Sequence, residues 1–114
     1  MKIAFTAKGQ NWDSQIDPRF GRTDFIVVYD QEKDELVSHD NREIANVAHG
    51  AGPQTAQKFA DINPDVLITG NGPGGNAARA LEKINMEVYS GAHNMNLKEA
   101  YQAYQDDKLE KFQI

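Results

Sequence analysis

The chain has 114 residues, with 12 Lys or Arg against 17 Asp or Glu and a formal net charge of −5. That length suits one compact domain, and the acidic balance argues against a general nucleic-acid binder or a protein drawn to anionic membranes. The absence of Cys removes disulfides, thiolate nucleophiles and Cys-held zinc or iron–sulfur sites, and no apolar run approaches the ~18 residues of a membrane span.

Residues 3–7 (Ile-Ala-Phe-Thr-Ala) read as a short strand, too short an apolar run for a signal peptide. A single domain over residues 1–114 and a cytoplasmic location are the simplest expectations. Residues 8–23 form a long polar loop, a length that is often functional. With Gly9, Pro18 and Gly21 and few apolar anchors, it is expected to be the most mobile segment of the ligand-free protein. Residues 25–29 and 36–39, joined by a polar turn, read as a hairpin. A second loop over 40–52 ends in His49-Gly50-Ala51-Gly52, and Pro53 suits the first position of a helix carrying Ala56, Phe59 and Ala60.

Residues 65–69 are a continuous apolar run, as in a parallel strand covered on both faces. Gly70-Asn71-Gly72-Pro73-Gly74-Gly75 breaks it, and Ala77, Ala80, Leu81 and Ile84 then mark one helix face. Residues 86–89 give the next strand. Asn96 with Glu99 opens a capping-box helix whose stripe is Leu97, Ala100, Tyr101 and Tyr104. Residues 106–114 read as a charged tail with little to anchor it. The order predicts one α/β domain with a five-stranded mixed sheet and helices on both faces.

Gly70-x-Gly72-x-x-Gly75 fits the dinucleotide fingerprint literally, between a strand and a helix. The acidic residue expected ~20 positions on is missing, so the loop is either an anion cradle or simply a tight turn. Asp13 and Asp17-Pro18-Arg19-Phe20-Gly21-Arg22 place two guanidiniums beside an aromatic and a glycine. They suit a fork grip on an anion; equally, Phe20 could plug the core while the arginines pair with the carboxylates. His39 reads as ordinary surface. His49 and His93 lie in loops, where most histidines are merely solvated. Their loops belong to the rim outside the carboxyl ends of the parallel strands, where α/β proteins bind ligands. Catalysis has little support: there is no Gly-x-Ser-x-Gly elbow, and Ser14, Ser38 and Ser90 have no evident His/Asp partners.

The 13–22 segment, the hairpin after it, Gly50-Ala51-Gly52-Pro53-Gln54-Thr55-Ala56-Gln57 and Gly70-Asn71-Gly72-Pro73-Gly74-Gly75-Asn76-Ala77 resemble the dinitrogenase iron–molybdenum cofactor biosynthesis family. These are small proteins similar to NifX, NafY and the C-terminal domain of NifB. The resemblance covers roughly residues 2–109. It implies a ribonuclease-H-like three-layer α/β/α fold with strand order 3-2-1-4-5 and the second strand antiparallel. It also implies no enzyme activity, but carriage of an iron–molybdenum-type or molybdenum-containing metal–sulfur cluster, some relatives being associated with a molybdenum–copper cluster. Several members carry His immediately before Phe-Gly. Here that place is Arg19, which implies charge in place of ligation.

The leading expectation is thus a non-enzymatic carrier for an anionic metal–sulfur cluster or metallate, exchanging it with cofactor-donor and acceptor proteins. Arg19, Phe20, Gly21 and Arg22, with Gly50, Gly52, Gly70, Asn71, Gly72 and Gly74, would form the anion site; His49 and His93 are candidate metal ligands. The rivals are a phosphate- or nucleotide-binding module, a protein-interaction module and a nuclease. Ribonuclease-H-type hydrolysis needs carboxylates holding two metal ions, and residues 3–7 supply none.

Overall fold

Three central strands organise the molecule: β1 (Lys2–Ala7), β2 (Phe25–Asp30) and β4 (Val66–Ile68). β1 pairs antiparallel with β2 and parallel with β4. β3 (Glu35–Asp40) completes the hairpin with β2, and β5 (Glu87–Ser90) lies parallel to β4. A last strand, β6 (Glu110–Phe112), pairs antiparallel with β5, so the sheet has six strands in the order 3-2-1-4-5-6. The helices are α1 (Arg42–Ala45), α2 (Ala51–Ile62), α3 (Gly75–Leu81) and α4 (Leu97–Gln105). The structure, a computed structural model, describes residues 1–113.

Strand alternation sorts the core into two layers. Ile3, Phe5, Ala7, Val27 and Ile68 pack on one face with Leu97, Ala100 and Ala103 of α4. Ala4, Ile26, Val28 and Leu67 pack on the other with Ala56 and Phe59 of α2 and Ala77 and Leu81 of α3. Leu67 is fully buried, as its place in a covered parallel strand requires. The α/β/α layering and the order of the first five strands follow the sequence-based expectation. Asn96 accepts from the Glu99 amide while Glu99 accepts from the Asn96 amide, so the capping box forms as expected.

Four features differ from the sequence reading. Of the expected 106–114 tail, Ile114 lies outside the described residues, and the rest is anchored: Leu109 is buried, Phe112 packs against the core layer that contains Ala77 and Leu81, and Lys111 pairs with Glu87 at 3.6 Å. The 40–52 loop contains the short helix α1, and α2 begins at Ala51, so Pro53 is its third residue. The 8–23 segment is held at several points. Ile16 and Phe20 are buried, Ile16 bridges to Ala7, and Gln15 bridges to Asn96. Finally, His39 is partly buried, and burial together with the nearby Lys58 ammonium lowers its pKa.

No described helix is long and apolar enough to cross a membrane.

Candidate functional site

Parallel connections carry the loops after β1 and β4, and the starts of α2 and α3, to one edge of the sheet. There Arg19, Gly21, Arg22, Gly50, Ala51, Gly52, Pro53, Gly74, Gly75, Asn76 and Ala77 line an open cavity of about 410 Å³. Residues separated by more than fifty positions thus share one rim because the topology leaves them nowhere else to go.

The rim is built on close backbone contact. A Cβ at Gly21 would lie 2.8 Å from the Gly52 Cα, and one at Gly52 would lie 3.3 Å from the Ala77 Cβ. The small residues let the Phe20-Gly21-Arg22 turn touch α2 and let α2 touch α3. Phe20 points inward and stacks on Phe59, with ring centroids 5.3 Å apart. Beneath the turn, the buried Thr55 hydroxyl donates to the Gly21 carbonyl at 2.7 Å. The Asn41 amide donates to Thr55 and to the Thr23 carbonyl. Both Thr55 and Asn41 escaped the sequence reading, since a buried Thr or Asn carries no pattern that separates it from a surface one.

The two arginines are engaged differently. Arg19 forms a bidentate pair with Asp17, its Nε and Nη2 each 3.1 Å from a carboxylate oxygen. This hydrogen bonding raises the Arg19 pKa against a smaller opposing effect of burial. Arg22 donates through Nη1 to the Ala45 and Val47 carbonyls at 2.9 and 2.8 Å, and through Nη2 to the Ala48 carbonyl at 3.4 Å. It thereby ties the end of α1 to the rim and fixes the approach to Gly50. The pairing of Arg19 with a carboxylate, one of the two readings left open by the sequence, is the one observed.

Gly50, immediately before α2, adopts φ +79°, and the helix has no side-chain cap and no acidic residue in its first turn. Ala51, Gly52 and Pro53 of its first turn line the cavity; the first two carry amides that no carboxylate of their own helix neutralises, and Pro53 has none.

Other sequence candidates fall outside the cavity. Gly70 lies under Pro18, where a Cβ would come within 2.6 Å of the Pro18 Cα, and Gly72 is covered by the Phe112 ring. Their missing side chains make room for protein, and Asn71 donates its amide to the Pro18 carbonyl at 2.9 Å. The fingerprint loop is thus a packed turn, and only its end, Gly74 and Gly75, opens onto the cavity with no protein atom within 4 Å of an added Cβ. His49 precedes Gly50 and His93 packs near Gly70; both are exposed, and neither is among the cavity-lining residues. Among the described residues, no group of three or more His, Cys, Asp or Glu is placed to hold a metal ion.

Fold and rim together define a small ribonuclease-H-like α/β/α domain with an open cavity lined by two arginines and mostly small residues. A family model described as dinitrogenase iron–molybdenum cofactor matches residues 1–107. The chain belongs to that family. It is 32% identical to the orange protein of Desulfovibrio gigas in its apo form, with a TM-score of 0.90 over 97% of this chain and 92% of that one. It is 27% identical to a Thermotoga protein provisionally described as NifB, with a TM-score of 0.82 over 99% of this chain and 97% of that one. No curated protein matches the sequence.

Proposed function

We propose that the chain is a non-enzymatic carrier that holds an anionic metal–sulfur cluster or metallate at the rim cavity and passes it between proteins of cofactor assembly. The observation that carries this reading is the cavity itself. Two guanidiniums and the uncapped start of α2 border about 410 Å³ of open space floored by Gly21, Gly50, Gly52, Gly74 and Gly75. Such a lining attracts an anion by charge and by amide donation.

The donor set fits cargo that arrives with its own sulfide or oxide ligands. With no described cluster of His, Cys, Asp or Glu to ligate a bare ion, the chain's contribution is hydrogen bonding and charge around an intact anion. His49 and His93 lie outside the cavity-lining residues, so this reading gives neither a ligating role. A shallow open site also suits release, because the anion leaves without breaking several metal–protein bonds. Family membership supports the cluster class, and the apo orange protein supports a structure that persists without cargo.

The test is anaerobic titration with tetrathiomolybdate, molybdate and inorganic phosphate in parallel, followed by a metal census of the anaerobically purified protein. Saturable binding of tetrathiomolybdate that weakens as salt rises, with weaker binding of phosphate, is expected. Tighter binding of phosphate would move the assignment to a phosphate-ester module. No binding of any of the three anions would overturn it.

A further inference from the structure

The dipeptide-spaced pair Asp-x-Arg occurs twice, as Asp17-Pro18-Arg19 and Asp40-Asn41-Arg42. Both make the same three bonds. The arginine amide and Nε reach one carboxylate oxygen, at 3.0 and 3.1 Å in the first pair and 3.0 Å each in the second, and Nη2 reaches the other oxygen, at 3.1 and 2.8 Å. Their surroundings differ. The Asp40 side chain is 54% exposed and lies away from the cavity, whereas the Asp17 side chain is fully buried and its partner lines the cavity. Asp17 also accepts from the Asp24 amide at 3.2 Å.

We propose that Asp17 is a positioning residue that holds the Arg19 fork in one orientation at the rim, and that anion capture there depends on this hold. The inference rests on reading the cavity as an anion site. Asp17 meets four donors in all, the number a carboxylate accommodates, so it is saturated and has no freedom to turn. Arg19, with its side chain 54% exposed, would otherwise sample many rotamers. A guanidinium already fixed loses less conformational freedom when it grips an anion. Its Nε and Nη2 are held by Asp17, while Nη1 makes no hydrogen bond among the described residues and keeps both its donors.

Charge and position make opposite demands here. Asp17 is an anion beside an anion site, so charge alone says that its removal tightens binding. Position says that its removal loosens binding. The Asp17 charge is masked by the guanidinium and by two backbone amides, which leaves position as the larger effect.

The experiment titrates tetrathiomolybdate into the parent chain, Asp17→Asn, Arg19→Gln, the double variant and the Asp40→Asn control. Loss of the fixed fork is expected to weaken binding by about tenfold in Asp17→Asn, with Asp40→Asn unchanged. Because Asp17 acts through Arg19, the double variant binds like Arg19→Gln alone; a further loss would mark a merely structural role and overturn the inference. Binding by Asp17→Asn as tight as the parent's, or tighter, would also overturn it. Should Asp17→Asn fail to fold, Arg19→Lys takes its place: it keeps the charge but cannot be held as a fork, and must bind about as weakly as Arg19→Gln. If Arg19→Lys binds like the parent, the inference falls.

A ligand-free measurement stands apart from the anion reading. Exchange of the Arg19 Nε–H with solvent, followed by nitrogen-edited NMR, must be slow in the parent and fast in Asp17→Asn. Equal rates would refute the hold itself. If the parent binds no tetrathiomolybdate, the anion site and any capture role for Asp17 fall together, whereas the exchange rates still decide whether the fork is held.

Discussion

Gly21 and Gly52 meet backbone to backbone, so close that a Cβ on Gly21 would lie 2.8 Å from the Gly52 Cα. Neither atom belongs to a flexible side chain that can move aside. The β1–β2 loop carrying both arginines is therefore docked on α2 at a distance that only glycine permits. Gly21→Ala is expected to push the two apart, costing about 1–3 kcal/mol as overpacking usually does. Urea unfolding measures the loss, and a stability equal to the parent's would show that the loop yields freely. Anion affinity should fall with it, since Arg19 and Arg22 flank the displaced residue.

Thr55 is the hydrogen-bonded hinge pin beneath that contact. Its hydroxyl donates to the partly buried Gly21 carbonyl at 2.7 Å and accepts from the buried Asn41 amide at 3.1 Å. Thr55→Val keeps the shape but strips both partners, leaving a carbonyl and an amide with unmet demands. A loss of about 1–3 kcal/mol is expected for buried groups left unsatisfied. Thr55→Ser retains the hydroxyl and should recover most of it, so denaturation of the two variants side by side distinguishes the hydrogen bonds from packing.

Much of this architecture was legible in the sequence. The β2–β3 hairpin, the covered strand at Leu67 and the Asn96–Glu99 cap each follow from a local pattern that tertiary packing happens to respect. β6 was not legible, because Glu110 and Lys111 are exposed on an edge strand and only Phe112 turns inward. Its seat is Gly72, forty residues earlier, and a Gly-x-Gly spacing looks the same whether a phosphate or a phenyl ring fills the gap. The grip of the 8–23 segment was likewise hidden, since its anchors are carbonyls and amides of distant loops, such as Ile16 donating to Met95 and Leu97 donating to Ser14. At the rim, Arg19, Gly21, Arg22, Gly50, Gly52 and Gly74 were recognisable as a set, although Gly70, Asn71 and Gly72, grouped with them by sequence, lie outside the cavity. The acceptors of Arg22 were not recognisable, being main-chain oxygens with no side-chain signature.

Tyr29 gives a pH-dependent signal at the opposite end of β2. Its hydroxyl donates to the Asp34 carboxylate at 2.7 Å, and this bond, with lesser contributions from desolvation and neighbouring charge, raises its pKa to about 12. Because the folded pKa lies above the ordinary tyrosine value, the stability it contributes is complete below about pH 10. That contribution then disappears as pH climbs through about 12, where Tyr29 ionises in the folded chain. Burial also raises Tyr89 and Tyr104, so an ultraviolet titration of the phenols should show several late-ionising groups, of which one vanishes in Tyr29→Phe and moves earlier in Asp34→Asn. An unchanged titration in Asp34→Asn would exclude the carboxylate as the cause.

Arg19 and Arg22 share the rim, but their substitutions should separate. Arg22 already serves three carbonyls, those of Ala45, Val47 and Ala48. Arg22→Ala removes bonds that hold the connection from α1 to α2, so it should lower stability by about 1–2 kcal/mol, less than the full value of three charged bonds because water reaches the partly exposed carbonyls. Arg19 spends its bonds on Asp17 alone, and Arg19→Ala leaves Asp17 with the Arg19 and Asp24 amides. Because Asp17 is fully buried and loses its paired cation, stability should fall by about 1–3 kcal/mol, and tetrathiomolybdate affinity should fall by about tenfold or more for loss of one charge-assisted contact. In both variants the residual affinity should depend less steeply on salt than the parent's, because one fewer guanidinium is screened. Affinity, measured beside stability, therefore separates the two variants: Arg19→Ala is expected to lose more of it than Arg22→Ala, whose guanidinium is already spent on carbonyls. If Arg22→Ala loses only affinity and Arg19→Ala loses only stability, the division of labour drawn from their hydrogen bonds is reversed, and Arg22 is the residue that meets the anion.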